Sequence, residues 1–242
     1  MPEGPTRTTH TDAAGDAIDE LLGWYDTYAD DLRRVREEQR EHRAARPTMR
    51  AQLDDLEAEL TYLRIRNARP AHVVEIGCLH GWSTSWLLRA LRDNDHGRLH
   101  SFDRVDAATR AVPKELTCDR WSFVHGDMRE GLDRLPANIG YLFIDAAHTA
   151  RFAKWYLASV LPRVVPGTPV SVHDVFHLRR PLPFTEGSVL LKWLRANDID
   201  YFTVARRAAP EAHRRLVAKR RELGIDAPVH DGDHNPMLFF TR

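Results

Sequence analysis

An acidic residue comes just before a glycine turn in the stretch "VVEIGCLHGWS". Gly77 and Gly81 allow a tight turn and a close approach of the backbone to a ligand. Leu79 stands where a dinucleotide fingerprint has its second glycine, and Glu75 precedes the turn. A carboxylate repels a pyrophosphate and attracts an ammonium group. The stretch therefore predicts a ligand with a positively charged tail rather than a diphosphate.

Two more acids follow the next apolar segments. Asp103 ends "SFD", where a carboxylate can accept hydrogen bonds from both hydroxyls of a ribose, although it could instead cap a helix. Asp127 follows Gly126, where it can accept from the exocyclic amine of adenine. Ammonium, ribose and adenine together describe S-adenosylmethionine. The predicted cofactor-binding residues are Glu75, Gly77, Gly81, Ser83, Asp103, Gly126, Asp127, Met128 and Asp145.

The elements that must position these residues alternate between short apolar strands and helices. We predict strands at 72–77, 98–103, 121–127, 139–146, 168–174, 199–205 and 235–242, and helices at 82–91, 149–164, 186–196 and 210–223, with a short helical turn from Met128. Near-continuous apolar strands separated by helices indicate a mostly parallel, doubly wound α/β sheet that is covered on both faces. Ligands in such sheets bind beyond the carboxyl ends of the strands.

The N-terminal part of the chain differs from the rest. Residues 1–15 lack an apolar segment and are predicted to be a disordered tail. Apolar residues recur at three- and four-residue steps over 16–46, and a second helical pattern follows Pro47. We therefore expect a helical cap or dimerisation arm over 16–69 and the ligand-binding domain over 70–242.

Composition limits the classes of function. The chain of 242 residues has 35 basic and 35 acidic side chains, so it has no overall charge bias toward nucleic acid. Its two cysteines do not form a disulfide framework, which is typical of a cytoplasmic protein. No apolar run reaches the roughly 18 residues of a membrane span. We expect a small-molecule substrate, no membrane or nucleic-acid partner, and a homo-oligomer.

Residues 72–176 resemble the class I S-adenosylmethionine-dependent methyltransferases in the Glu75–Gly81 turn, in Asp103, in Gly126–Asp127, and in "FIDAAH" and "SVHDVF". The last two motifs are most similar to the bacterial natural-product sugar O-methyltransferases of the macrocin and mycinamicin type. The resemblance implies a sheet of about seven strands whose last strand is antiparallel.

The resemblance also implies roles at the ends of the fourth and fifth strands. Asp145 matches an acid that binds metal and orients the base, His148 matches the general base, and Asp174 matches a second metal-binding acid. His173 stands where the family usually has Asp or Glu, which weakens the case for Mg²⁺ and leaves two alternatives: an ion that accepts imidazole, such as Mn²⁺, Fe²⁺ or Zn²⁺, or no metal at all. The predicted catalytic residues are His148, Asp145 and His173, and the predicted ligands of a possible divalent metal are Asp145, Asp174 and His173. Each of these four side chains could instead have a structural role, such as capping a helix.

The sequence therefore predicts methyl transfer, most simply to a hydroxyl of a natural product or sugar. A hydroxyl becomes a good nucleophile only as its proton leaves, which a histidine base or a divalent metal can assist. Methylation of nitrogen, carbon or a carboxylate, or a non-catalytic cofactor-binding protein, remains an alternative on the same fold.

Overall fold

The computed structural model describes residues 10–232 and 235–242. Its strands are β1 (His72–Ile76), β2 (Arg98–Asp103), β3 (Trp121–His125), β4 (Tyr141–Ile144), β5 (Pro169–Val172), β6 (Tyr201–Thr203) and β7 (Leu238–Thr241). They form one sheet in the order β3-β2-β1-β4-β5-β7-β6. Only the pairs that β7 forms with β5 and β6 are antiparallel. The predicted doubly wound, mostly parallel seven-stranded sheet is thus confirmed.

Helices precede the sheet and connect its strands. They are α1 (His10–Thr27), α2 (Ala29–Ala44), α3 (Asp55–Ala68), α4 (Trp82–Asp93), α5 (Ala108–Ala111), α6 (Lys114–Thr117), α7 (Ala150–Ser159), α8 (Glu186–Ala196) and α9 (Pro210–Glu222). Within the described residues, none of these helices is both long and apolar enough to span a membrane.

The side chains of β1 alternate between two apolar cores. Val73 belongs to the core that contains α3 and α4, whereas Val74 and Ile76 belong to the core that contains α7 and α8. Successive side chains of a strand point to opposite faces of its sheet. Glu75 therefore faces the same side as Val73, toward α4. This alternation decides where the acid of the glycine turn lies.

The N-terminal prediction needs two corrections. Residues 1–9 of the predicted tail lie outside the described residues, and α1 begins at His10, before the end of the predicted tail at residue 15. The predicted helix over 16–46 is also two helices, because Tyr28 interrupts it. At this point the hydroxyl of Thr27 donates to the Gly23 carbonyl, an alternative bond that weakens continued helix.

The predicted helix over 149–164 is shorter than expected. Helix α7 ends at Ser159, and a 3₁₀ turn over Leu161–Arg163 follows it. Pro162 has no N–H to continue the helical ladder. The segment after Met128 likewise forms two 3₁₀ turns, over Met128–Glu130 and Leu132–Arg134.

Candidate active site

A cavity of about 630 Å³ lies beyond the carboxyl ends of the parallel strands. The strand order reverses between β1 and β4, and such a switch point is where doubly wound sheets bind ligands. The volume falls in the usual range of small-molecule sites. Its lining is Gln52, Ile76, Gly77, Leu79, Phe102, Asp103, Arg104, Gly126, Asp127, Met128, Arg129, Asp145, Ala146, Ala147, His148, Thr149, Arg151, Phe152 and Trp155.

Gly77 is required by the geometry of the turn. Its φ is +87°, and a Cβ there would lie 1.9 Å from the carbonyl oxygen of Asp145. The turn after β1 therefore packs directly on the end of β4. Close contact of the two strand ends brings the turn and Asp145 to the same wall of the cavity.

Glu75, a predicted cofactor-binding residue, does not line the cavity. Its side chain is fully buried and accepts hydrogen bonds from Ser101 (2.6 Å), Ser83 (2.6 Å) and Thr84 (2.9 Å). Burial raises the pKa of Glu75 to about 7, although the three hydroxyl donors oppose the shift. Glu75 instead joins β1 and β2 to the first turn of α4.

Gly81 and Ser83 also lie outside the lining. Gly81 precedes α4 with φ of +80°, and Ser83 is buried against Glu75. The prediction that these two residues bind the cofactor is therefore not supported by their positions. Their roles here are to begin α4 and to hold Glu75.

Asp103, a predicted cofactor-binding residue, lines the cavity, but its carboxylate already has partners. Oδ2 accepts from the backbone N–H groups of Cys78 and Leu79, both at 2.7 Å. Oδ1 accepts from the N–H of Val105 at 2.9 Å. The acid at the end of β2 thus holds the glycine turn through its backbone.

Gly126, Asp127 and Met128 line the cavity beside Asp103. Asp127 accepts from the Arg129 guanidinium, with 2.9 Å between Nε and Oδ1. This hydrogen bond and charge lower the pKa of Asp127 to about 2 against a small opposing effect of burial. Asp127 is therefore a carboxylate at every pH at which the protein would be assayed.

An aromatic pair that the sequence analysis missed forms another part of the wall. Phe152 and Trp155 lie three residues apart on α7, with ring centroids 5.6 Å apart and planes inclined by 27°. Flat rings of this kind can stack on a planar ligand such as a nucleobase. The spacing on one helical face was the available signal, but it is equally typical of core packing.

Asp145 and His148 meet at the end of β4, together with Asp174. His148 Nε2 lies 3.4 Å from Asp145 Oδ1 and 3.2 Å from Asp174 Oδ2. His148 Nδ1 lies 3.2 Å from Glu186 Oε2 at the start of α8. An isolated bridge between Thr149 and Thr185 brings the two segments together.

These contacts set the charges in the cluster of His148, Asp145, Asp174 and Glu186. Burial alone would lower the pKa of His148, but the hydrogen bond with Glu186 and the charges of Asp174 and Asp145 outweigh it and raise that pKa. Burial likewise opposes ionisation of Asp174, yet the imidazoles of His173 and His148 lower its pKa to about 2. A cation is favoured beside these carboxylates.

His173 is placed differently from the prediction. It is only 6% exposed, and its Nε2 lies 3.2 Å from Glu57 Oε2 on α3. Its Nδ1 lies 3.0 Å from Asp174 Oδ1 and 3.3 Å from Asp145 Oδ1, but neither contact has hydrogen-bond geometry. Although burial alone would lower the pKa of His173, the charges of Glu57 and Asp145 raise it well above the usual range.

The predicted metal cluster is corrected accordingly. His173 does not line the cavity, and its Nε2 is already in contact with Glu57. Among the described residues, the group whose ligand atoms lie within 4.8 Å of one another is Asp145, His148 and Asp174. His148 thus replaces His173 as the imidazole that a metal could bind.

Sequence reasoning missed Glu57 and Glu186. Glu186 starts α8 directly after Thr185, and Glu57 completes the helix-capping box of Asp54. Both positions are recognisable as helix starts. Their contacts with histidines 38 and 116 residues away depend on tertiary packing.

Comparison with known proteins agrees with this geometry. Residues 74–175 match a family model described as "Methyltransferase domain". No curated protein matches the sequence. The domain match includes most of β1 and all of β4 and β5, and with them the glycine turn, Asp145, His148 and Asp174.

Solved structures share the fold. An O-methyltransferase from Bacillus cereus, in complex with SAH, matches with a TM-score of 0.60 and 15% identity over 93% of this chain and all (100%) of that chain. The O-methyltransferase TomG from Streptomyces achromogenes, involved in tomaymycin synthesis and solved with SAM, gives 0.57 and 16% identity over 86% and 88% of the two chains. The MycE methyltransferase of mycinamycin biosynthesis, solved with Mg and SAH, gives 0.43 and 20% identity over 56% and 39%, too low to carry an argument.

Residues 74–175 thus match a methyltransferase domain, and the chain shares the fold of these O-methyltransferases. The match begins in β1, which follows the N-terminal helices α1–α3 and precedes the glycine turn.

Proposed function

We propose that this protein transfers the methyl group of S-adenosylmethionine to a hydroxyl oxygen of a small molecule, most simply a natural product or sugar, and that His148 is the general base. The observation that carries the proposal is the His148 ring, which lines the cavity with Nδ1 on the buried carboxylate of Glu186. A carboxylate on one ring nitrogen fixes the orientation of the imidazole and stabilises the imidazolium that forms. Nε2 faces Asp145 and Asp174 at the end of β4, which is where the proposal requires the acceptor hydroxyl to bind.

The transfer is an in-line displacement. The acceptor O–H gives its proton to His148 Nε2 as the oxygen–methyl bond forms and the methyl–sulfur bond breaks. The bonding electron pair goes to sulfur, which leaves as the neutral thioether of S-adenosylhomocysteine. The carboxylates of Asp145, Asp174 and Glu186 stabilise the positive charge that passes from sulfonium to imidazolium.

A divalent metal held by Asp145, His148 and Asp174 is a second arrangement that the residues fit. Two carboxylates and one imidazole suit Mn²⁺, Fe²⁺ or Zn²⁺ better than Mg²⁺. When bound, such an ion would lower the pKa of an acceptor hydroxyl and orient it. The two arrangements exclude each other at one atom, since a His148 Nε2 that binds a metal cannot accept a proton.

Replacement of the base tests the proposal. His148→Asn should leave the affinity for S-adenosylhomocysteine within about twofold by calorimetry, because the nucleoside end of the cavity is intact. Turnover with labelled S-adenosylmethionine and a panel of hydroxylated acceptors should fall by about 10²-fold or more. The control His96→Asn changes an exposed histidine before β2, at the opposite end of the sheet. Unchanged turnover in His148→Asn would remove His148 from the mechanism.

Metal removal separates the two arrangements. If His148 is the base, turnover should survive exhaustive chelation. The spectrum of added Mn²⁺ should then show no tight binding that depends on Asp174, so Asp174→Asn should not change it. The metal arrangement would be favoured over the His148 base if chelation abolished turnover, Mn²⁺ restored it, and Mn²⁺ binding depended on Asp174.

A further inference from the structure

A segment that precedes the matched domain reaches the reactive end of the cavity. Gln52 is part of the cavity lining, and Glu57 contacts His173. Both residues lie before residue 74, where the match to the methyltransferase domain begins. We propose that residues 52–57 complete the active site, with Gln52 as a binding residue for the amino-acid end of the cofactor and Glu57 as a positioning residue for His173. This inference rests on the proposed function.

The segment is attached to the glycine turn. The backbone N–H of Arg50 donates to His80 Nδ1 at 2.9 Å, within the turn. The indole N–H of Trp82, the first residue of α4, donates to the Leu53 carbonyl at 3.0 Å. These bonds place Gln52 beside the turn whose backbone approaches the ligand. An exposed amide at this place can bond the carboxylate or ammonium of a bound amino acid.

The start of α3 is also bonded to the segment around Val229 and His230. Asp55 accepts from the backbone N–H groups of Val229 and His230 at 3.0 and 2.8 Å. It also pairs with Arg36 and Arg220. The capping box between Asp54 and Glu57 fixes the first turn of the helix. Glu57 therefore reaches His173 from a rigid element.

The contact between Glu57 and His173 controls the orientation of the ring. Glu57 is 1% exposed, so water does not substitute for it. With Nε2 bound to Glu57, Nδ1 is directed toward Asp145 and Asp174. Loss of Glu57 leaves the buried Nε2 without a partner, which favours rotation of the ring. That rotation would shift the two carboxylates that face His148.

The experiment compares Glu57→Gln and Glu57→Ala with Glu59→Gln. Glu59 is the matched control, because it is a buried carboxylate on the same helix that pairs with Arg36 and Arg220 and does not touch His173. The amide of Glu57→Gln keeps an acceptor for Nε2–H, whereas alanine does not. We expect kcat to fall at least tenfold in Glu57→Ala and less in Glu57→Gln, with KM changed less than twofold. Folded Glu59→Gln should keep its kcat within twofold.

Gln52→Ala should act on cofactor binding, whereas the Glu57 variants act on kcat. It should weaken S-adenosylhomocysteine binding at least threefold in calorimetry and raise the KM for S-adenosylmethionine by a similar factor. Unchanged affinity would remove Gln52 from the site.

A second measurement tests the positioning role of Glu57 without depending on methyl transfer. The ¹⁵N resonances of the His173 ring in the purified protein should shift in both Glu57 variants and not in Glu59→Gln, even if no hydroxyl acceptor is methylated. Unshifted resonances in Glu57→Ala, or equal losses of kcat in Glu57→Ala and Glu59→Gln, would overturn the positioning role. Absence of methyl transfer by the unmodified protein, with the resonance shift intact, would count against the proposed function alone.

Discussion

Position along a strand decides which acid can meet a ligand. Asp103 is the last residue of β2 and lines the cavity, whereas Glu75 lies one residue before the end of β1. That single residue turns the Glu75 side chain toward α4, opposite Ser101 in the register of β1 and β2. The carboxylate then meets three hydroxyl groups instead of solvent. An acid next to a glycine turn is therefore not necessarily a ligand-binding acid.

The buried state of Glu75 predicts an unusual pH dependence of stability. Because its folded pKa of about 7 is raised above the unfolded value, the folded protein binds this proton more tightly. The contribution is fully present below the unfolded pKa and is lost as the pH rises through 7. In urea unfolding, Glu75→Gln should therefore gain up to about 3 kcal/mol relative to the unmodified protein between pH 5 and pH 8. A constant difference across that range would contradict the assignment.

The alternation of apolar strands and helices was sufficient to predict the sheet and the start of each main helix after β1. Helix α8 begins and ends at the predicted Glu186 and Ala196, because Thr185 caps its start and its apolar residues recur at helical spacing. Strand ends were less accurate: β4 covers four of the predicted residues, since backbone pairing stops before the apolar run does. Asp145 directly follows β4 and lines the cavity, a position that the sequence pattern alone could indicate. The position of Glu57 was not predictable, because its contact joins segments that are distant in sequence.

The turn after β1 offers a test at the level of the element. Gly77→Ala combines a positive φ with a clash against the Asp145 carbonyl, whereas Gly167→Ala has nearly the same φ, +86°, and open space around the new Cβ. The control should lose about 1–2 kcal/mol from the left-handed conformation alone. Gly77→Ala should lose at least about 2 kcal/mol more, since a buried backbone has to move. Equal losses in thermal or urea unfolding would show that the turn does not pack on β4.

Buried charges connect the helical arm to the rest of the molecule. Arg36 of α2 and Arg220 of α9 both pair with Asp55 and Glu59 of α3, and the hydroxyl of Tyr25 on α1 donates to Glu59. All five residues are at most 9% exposed. Four helices from opposite ends of the chain therefore share one interior network. We expect the arm and the sheet to unfold together.

Removal of one member of this network should be costly. Arg220→Met leaves the carboxylates of Asp55 and Glu59 short of one buried partner, which typically costs about 3–5 kcal/mol. The control Arg214→Met, on the same helix, breaks an exposed pair with Glu211 and should cost no more than about 1 kcal/mol. Circular dichroism and tryptophan fluorescence should still report a single transition. Separate transitions would show that the arm is an independent unit.

The three backbone N–H groups on Asp103 bear on the energetics of cofactor capture. A ribose that reaches this carboxylate has to share or displace bonds that the empty protein already makes. Binding at this position is then an exchange of hydrogen bonds, and an exchange of similar bonds contributes little net enthalpy. Much of the affinity for a nucleoside must in that case come from covering the base against the apolar wall. A nucleoside analogue without its 2′-hydroxyl should accordingly be tolerated better than one whose base is reduced to a non-planar ring.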